Sequence, residues 1–392
     1  MVKNLAVSLI GLILGSIVGF ILITSISNPS KPASVVLSSP PLQARKEVLG
    51  FLPYWFLDKA KTDYSSVITT LNYFSLTLDK DGTILKSTNP VELEPGYAAL
   101  MGGKADAFLT SARQNNIKLS LTAFAGDQGT INQLISDPIT NANNLLSDIA
   151  PIMGKYGFSD LNLDIEGIGY ASPSAQLNYQ SFVSEVKNQI STRNLGYSLS
   201  IDIIPSDFLR NDRLTIPSNL VKFVDKVILM AYDFHSPSSF VTGPVAPLYG
   251  GGTVAEFDTQ VAIGAALKSY NPAKILLGFP FYGYSWETLN ENPRGAIIPS
   301  SALIESNSDI ENLLSNCSSC SASFDNVAQE SYLIYKNQDT NTFQQIFYPD
   351  ARSVQSKIDF VNGNNLGGLA IWALGYEGNS ILTPLQSLLS RH

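Results

Sequence analysis

Two carboxylates two residues apart, at the end of a short apolar run, are the plainest chemistry this chain offers. In Asn162-Leu163-Asp164-Ile165-Glu166-Gly167 polar and apolar residues alternate. In an extended strand Asn162, Asp164 and Glu166 therefore point to one side. Neighbouring carboxylates repel, so one of the pair tends to keep its proton near neutrality. That makes a general acid without a histidine. A solvated strand end also accommodates Asp-x-Glu, but the ends of other apolar runs weigh toward chemistry. One ends Met230-Ala231-Tyr232-Asp233, which adds a phenol and another carboxylate. Another ends Ile371-Trp372, an indole on which a sugar ring can lie flat. A third continues through residues 278–286, with Phe279, Phe281, Tyr282, Tyr284 and Trp286 as an aromatic rim. Apolar sugar faces stack on such rings, and tyrosine hydroxyls add directional hydrogen bonds.

The composition excludes other routes. Of 392 residues, 44% are hydrophobic and 15% charged, apolar enough for a sizeable core. Lys plus Arg is 25 against 33 Asp plus Glu, a net charge of −8. Phosphate binding needs a basic surface, so nucleic acid is excluded as a partner, as is adhesion to anionic lipid through a basic patch. The 2 His and 2 Cys are too dispersed for a Cys and His zinc site. No metal or cofactor is expected. A Ser-His-Asp or Cys-His mechanism has only His235 to draw on, since His392 is the final residue.

Something must hold these groups together. Near-continuous apolar runs at 48–54, 71–78, 117–124, 161–164, 197–204, 226–231, 275–279 and 368–372 read as strands buried on both faces of a parallel sheet. Helical periodicity lies between several of them, at 141–156, 175–191, 254–270 and 354–362, and a last helix is expected at 381–389. Eight strands with helical crossovers predict a (β/α)8 TIM barrel, in which chemistry gathers at the C-terminal strand ends. An open doubly wound sheet is the alternative, but no Gly-x-Gly-x-x-Gly turn follows any strand. The chain exceeds the roughly 250 residues of a typical barrel. The excess sits at 287–348, between strands 7 and 8, and reads as a small inserted α+β lobe.

The first 27 residues are different. Residues 5–26 carry no charge and, as a helix of about 22 residues, would span about 33 Å, the hydrocarbon thickness of a bilayer. A transmembrane anchor is expected at 1–27, with a cleaved signal as the alternative. Lys3 favours an inside N-terminus and an extracytoplasmic body. Gly11, Gly15 and Gly19 form a small-residue face that would suit a helix-mediated dimer, or ordinary membrane-helix filler. Residues 28–46, rich in Pro and Ser, read as a linker.

The motifs also carry a resemblance. Residues 158–166 resemble the Asp-Gly-x-Asp-x-Asp-x-Glu signature of the family 18 glycoside hydrolases, the chitinase-like barrels. Residues 230–233 match that family's Met-x-Tyr-Asp, 277–286 resemble its Gly-x-Pro-x-Tyr-Gly segment, and 367–372 its Gly-Gly-x-x-x-Trp strand. Residues 50–55 resemble its first strand. The wording of several motifs is nearest to the spore-germination, cortex-lytic branch, the peptidoglycan N-acetylglucosaminidases. Two positions depart: Ser159 stands for the first Asp of the signature and Asn162 for the middle one.

The resemblance implies a catalytic barrel over 47–392 and a substrate-assisted mechanism on an N-acetylated polysaccharide or oligosaccharide. Glu166 would be the acid and base. Asp164 would orient the acetamide and balance the cationic intermediate, and Tyr232 would hydrogen-bond the acetamide oxygen. Trp372 would floor the sugar subsite, with Asn162, Asp233, Met230, Tyr282 and Tyr54 as further substrate-binding residues. An amide at 162 is expected to donate to Asp164 and favour its charged form. A non-catalytic, lectin-like barrel is the alternative, although such members typically lose the acid that Glu166 supplies.

Three residues stay open. His235 follows the Tyr-Asp run and reads as a loop histidine or a cleft neighbour. Asp202 faces the barrel interior in either a structural or a functional role. Cys317-Ser318-Ser319-Cys320 reads as a local disulfide in an outward-facing domain, or as free thiols.

Overall fold

The computed structural model describes residues 46–392, apart from 168, 318, 319, 321, 391 and 392. The expected anchor, the glycine face and nearly all of the linker lie outside the described residues. Among the described residues no helix is long and apolar enough to cross a membrane.

Eight parallel strands close into a barrel in chain order. They are β1 (Glu47–Pro53), β2 (Thr70–Thr77), β3 (Lys118–Ala125), β4 (Asp160–Ile165), β5 (Ser198–Ile203), β6 (Lys226–Leu229), β7 (Ile275–Pro280) and, after five further strands, β13 (Gly368–Trp372). Closure pairs β13 with β1, Glu47 in register with Gly368. This is the expected barrel and not an open sheet.

The strands are apolar because both faces are covered. On β4, Leu161, Leu163 and Ile165 join the main core outside the barrel. By alternation Asp160, Asn162 and Asp164 turn inward. The interior has two halves. Leu49, Phe51, Phe74, Ile228, Leu276 and Ala370 form an apolar cluster. Opposite it, Asn72, Ser120, Thr122, Asp160, Asn162, Ser200 and Asp202 are all buried. They survive burial by bonding one another. Asn72 Nδ2 donates to Ser120 at 2.9 Å, and Ser120 and Ser200 each donate to Asp160 Oδ2 at 2.7 Å. At the barrel base Lys226 Nζ lies 2.9 Å from Glu47 and 3.7 Å from Asp160.

Side-chain caps set the helix starts. Asp137 accepts from Thr140 N–H to start Pro138–Tyr156, and Ser172 accepts from Ala175 N–H to start Pro173–Thr192, each followed by proline. Both helices therefore begin earlier than their apolar periodicity does. The helix expected over 254–270 is only Thr259–Ala266, because Asp258 caps it and the preceding residues form turns. Three further helices, Pro95–Met101, Asp106–Gln114 and Gln128–Leu134, were not expected. Each buries only two or three residues, too few to trace a clear period.

The insertion is an antiparallel sheet of β8 (Tyr282–Thr288), β9 (Leu303–Ser306), β10 (Ala322–Asp325), β11 (Glu330–Asn337) and β12 (Thr342–Tyr348), in the order β9-β8-β12-β11-β10, with the helix Asn307–Asn316. It begins at 282 rather than 287. The aromatic rim assigned to the end of barrel strand 7 is therefore mostly the lobe's first strand, and Tyr282, Tyr284 and Trp286 pack with Phe347 and Val245. Glu330 on β11 ties the lobe to the barrel. Its buried carboxylate accepts from Val245 N–H at 2.5 Å and Ala246 N–H at 2.8 Å, while Lys357 donates to Ala246 O at 3.0 Å. Cys317 and Cys320 form a disulfide, Cα atoms 5.3 Å apart.

Candidate active site

The C-terminal strand ends surround a cavity of about 420 Å³. Asp164 reaches it from β4 and Glu166 from the residue just past that strand. Met230, Tyr232 and Asp233 follow β6, where the chain tightens: Ala231 N–H donates to Leu229 O and Tyr232 N–H to Met230 O, both at 2.8 Å. Asp233 then takes φ +59°, a left-handed conformation that aspartate tolerates better than most residues. Trp372 ends β13, half-buried, with Phe74 edge-on at 4.6 Å and Phe51 at 5.7 Å. The peptides Phe74–Ser75 and Trp372–Ala373 are cis. Tyr54 and Trp55, after β1, complete that side. The hollow runs on both ways. Tyr54 and Trp55 also line one of about 350 Å³ toward Pro95 and Lys104, and Ile204, Tyr232 and Asp233 one of about 230 Å³ toward Glu256 and Phe257.

The lining holds four carboxyl groups, Asp164, Glu166, Asp202 and Asp233, and, among the described residues, no cationic side chain. Burial, then Asp202 and Glu166, push the Asp164 pKa well above the usual carboxylate range. Asp164 and Glu166 share a hydrogen bond. Burial also raises Glu166, and that hydrogen bond opposes the rise. The pair thus shares a proton, with Asp164 as the donor at rest. Burial, followed by the neighbouring carboxylates, holds the Tyr232 phenol protonated, so it can only donate to a charged acceptor. Asp233 is exposed at the rim, yet its carboxylate is turned inward: Tyr282 donates to Oδ1 at 2.5 Å and Tyr284 at 3.0 Å. That enclosure raises its pKa, and the two hydroxyls oppose the rise.

Of the residues singled out in the sequence, Glu166, Asp164, Tyr232, Trp372, Asp233, Met230 and Tyr54 line the cavity. Asn162 does not. It is fully buried one step down β4, with Oδ1 accepting from Thr122 at 2.7 Å and Nδ2 donating to Asp202 at 2.9 Å and Ser200 at 3.3 Å. The expected donation to Asp164 is therefore replaced by donation to Asp202, because the strand pitch sends 162 into the barrel's interior layer. Tyr282 is also behind the wall and reaches the cavity only through Asp233. His235 is buried away from the lining, Nδ1 2.8 Å from Pro244 O. Asp202 does line the cavity, as do Phe51, Phe74 and Phe124. For Asp202 a signal existed: Ser198, Ser200 and Asp202 alternate with Leu199, Ile201 and Ile203, the same polar-inward pattern as β4. For the three phenylalanines none did, since core and cavity aromatics look alike in sequence.

Residues 47–377 match the family described as Glycosyl hydrolases family 18. A cortical fragment-lytic enzyme of Bacillus anthracis is 24% identical over 315 residues, 79% of this chain and 65% of that protein. The chain thus spans just under two thirds of that relative's length. Solved structures share the fold, two of them as follows. The spore cortex-lytic enzyme of Bacillus megaterium QM B1551 gives a TM-score of 0.68 at 19% identity, covering 88% of this chain and 75% of that one. The Group IV chitinase of Ostrinia furnacalis, in complex with allosamidin, gives 0.75 at 17%, covering 88% and 99%.

Proposed function

We propose that this chain, which belongs to glycosyl hydrolase family 18 and is a glycosidase, cleaves β-1,4 bonds in N-acetylated amino-sugar polymers by a substrate-assisted, retaining route. One observation carries the reading: Glu166 stands at an aromatic cavity, hydrogen-bonded to a buried Asp164 whose pKa burial pushes up, with the Tyr232 phenol and the Trp372 indole in the same lining. In the proposed sequence an acetamide N–H takes Asp164 as acceptor, and the Asp164 proton passes to Glu166. Glu166 gives it to the glycosidic oxygen as that bond breaks. The acetamide carbonyl oxygen forms the new bond to the anomeric carbon, and the cation so made faces the Asp164 carboxylate and the Tyr232 hydroxyl. Water then attacks the anomeric carbon and Glu166 takes its proton, while the bond from that carbon to the acetamide oxygen breaks and regenerates the neutral acetamide; two inversions restore the configuration. This is one of the routes that differ from two-carboxylate glycosidases.

A cation-free lining suits a neutral sugar, and the hollows on either side suit a chain rather than a monosaccharide. Peptidoglycan is the favoured polymer, supported by the likeness to a cortical fragment-lytic enzyme. Chitin is the second reading, supported by the same cation-free, aromatic lining. An extracytoplasmic position, anchored or secreted through residues 1–27, belongs to the same proposal and rests on the uncharged run at 5–26.

Glu166→Gln tests it. The variant keeps the shape but cannot transfer the proton, so turnover on N-acetylated oligomers should fall about 10²–10⁴-fold while calorimetric binding persists. Mass spectrometry of products from peptidoglycan and from chitin oligomers separates the two substrates. A wild-type protein that binds but cleaves neither, and a variant indistinguishable from it, would make the barrel a sugar-binding module instead.

A further inference from the structure

Asp164 Oδ1 is buried without a hydrogen-bond partner. Such an oxygen is costly to charge, since nothing replaces the water it has lost. The proposed reaction nevertheless needs Asp164 charged when the cation forms. Its own strand supplies no donor, because both ends of the Asn162 amide are engaged with Thr122, Ser200 and Asp202. The next strand supplies a candidate. Asn162 pairs with Ser200 and Leu163 with Ile201, so the following position sets Asp164 beside Asp202, on strands about 4.8 Å apart. Both carboxyl groups line the same cavity.

We propose that Asp202 is a positioning residue for this reaction: it keeps its proton and donates it as a hydrogen bond to Asp164 Oδ1 once Asp164 has passed its own proton to Glu166. The inference rests on the glycosidase reading above. At rest Asp202 and Asp164 each carry a proton and Glu166 is ionised. When substrate docks, the O–H bond on Asp164 breaks and one forms on Glu166. Asp202 turns its O–H toward the new charge. Two protons and one negative charge are present before and after, so no co-reactant is required.

The surroundings keep Asp202 protonated. Its electrostatic neighbours are Asp160 and Asp164 on β4, Glu166 just past that strand, Tyr179 on the helix Pro173–Thr192, and Tyr232 beyond β6. None of these is a cation, and burial is the largest cause of its raised pKa, against the Asn162 hydrogen bond, which pulls it down. Asn162 Nδ2 fixes Asp202 Oδ1 as an acceptor. That leaves Oδ2 to carry the hydrogen.

Two substitutions test the idea. Asparagine at 202 keeps an acceptor for Asn162 and a permanent N–H donor for Asp164. Asp202→Asn should therefore keep kcat within about tenfold of wild type. Asp202→Leu fills similar space with no donor, and kcat should fall about a hundredfold with little change in KM, the size expected for one hydrogen bond to a charge. Its acidic limb in the kcat–pH profile should also move to higher pH, because Asp164 ionises less readily with no donor beside it. A merely structural role would lower the amount of folded enzyme and leave that limb in place. An Asn variant that is folded but as inactive as the Leu variant overturns the proposal, as does a Leu variant with an unmoved limb. Should the Leu variant fail to fold by circular dichroism, the Asn result alone decides. A wild type that never cleaves N-acetylated oligomers defeats the glycosidase reading itself, whereas an active wild type with these failures defeats only the role of Asp202.

Discussion

Four acids share one cavity without a cation, so position rather than residue type decides which of them is charged. Asp164 is sealed, and burial pushes its pKa well above the usual carboxylate range. Glu166 is less enclosed; burial raises its pKa too, and the hydrogen bond from Asp164 opposes that rise. Asn162 serves this arrangement from below by holding Asp202. Asn162→Asp should therefore lower both stability and turnover, because it replaces the amide donor to Asp202 and Ser200 with another buried acid. The expected cost is about 1–3 kcal/mol, that of a buried acceptor losing its donor. Denaturant melts beside a pH–rate profile would check it, and an unchanged melt would show that the barrel interior tolerates the extra acid. Tyr282→Phe with Tyr284→Phe tests the rim in the same way. Their hydroxyls oppose the raised pKa of Asp233, so without them Asp233 should titrate at higher pH, visible by NMR of that carboxyl.

Between elements, the link from lobe to barrel is a buried carboxylate on two backbone N–H groups. Burial raises the Glu330 pKa to about 6 from 4.5, against the pull of Lys357. A folded-state pKa above the unfolded one means that the folded chain binds this proton more tightly. The proton-linked contribution of Glu330 to stability is then full below about 4.5 and is lost as pH rises through about 6. Glu330→Gln should remove that slope between pH 4 and 7. It should also cost about 1–3 kcal/mol, since an amide can accept only one of the two N–H bonds and turns its own N–H groups on the other. Thermal melts across that range would show both effects. A variant whose melting curve keeps the wild-type slope would place the titration on another group.

For the whole molecule, the lobe and the N-terminal segment are the two additions to a barrel. The lobe's first strand carries the tyrosines that hold Asp233, and its core includes Val245 from the barrel side. Removing 282–348 should therefore reduce kcat even on the shortest cleavable oligomer, rather than raise KM for long ones alone. The full chain should sediment with membranes, and a chain starting at residue 46 should stay soluble with the same activity; recovery of the intact full chain in the soluble fraction would count against an anchor. Period-two alternation on β4 and the apolar runs of the other strands made the barrel, its order and most of the cavity's polar residues legible in the sequence, because a buried parallel strand leaves a local pattern. Helix starts were misplaced where a cap such as Asp137 or Ser172, rather than periodicity, sets the boundary. What only the tertiary structure decided was which side chains meet. Asn162 bonds Asp202 and not Asp164, Tyr282 braces Asp233 from the lobe, and Glu330 clasps Val245 and Ala246. These contacts join residues about 40 to 85 positions apart, and local sequence carries no trace of a pairing that the closed sheet alone brings about.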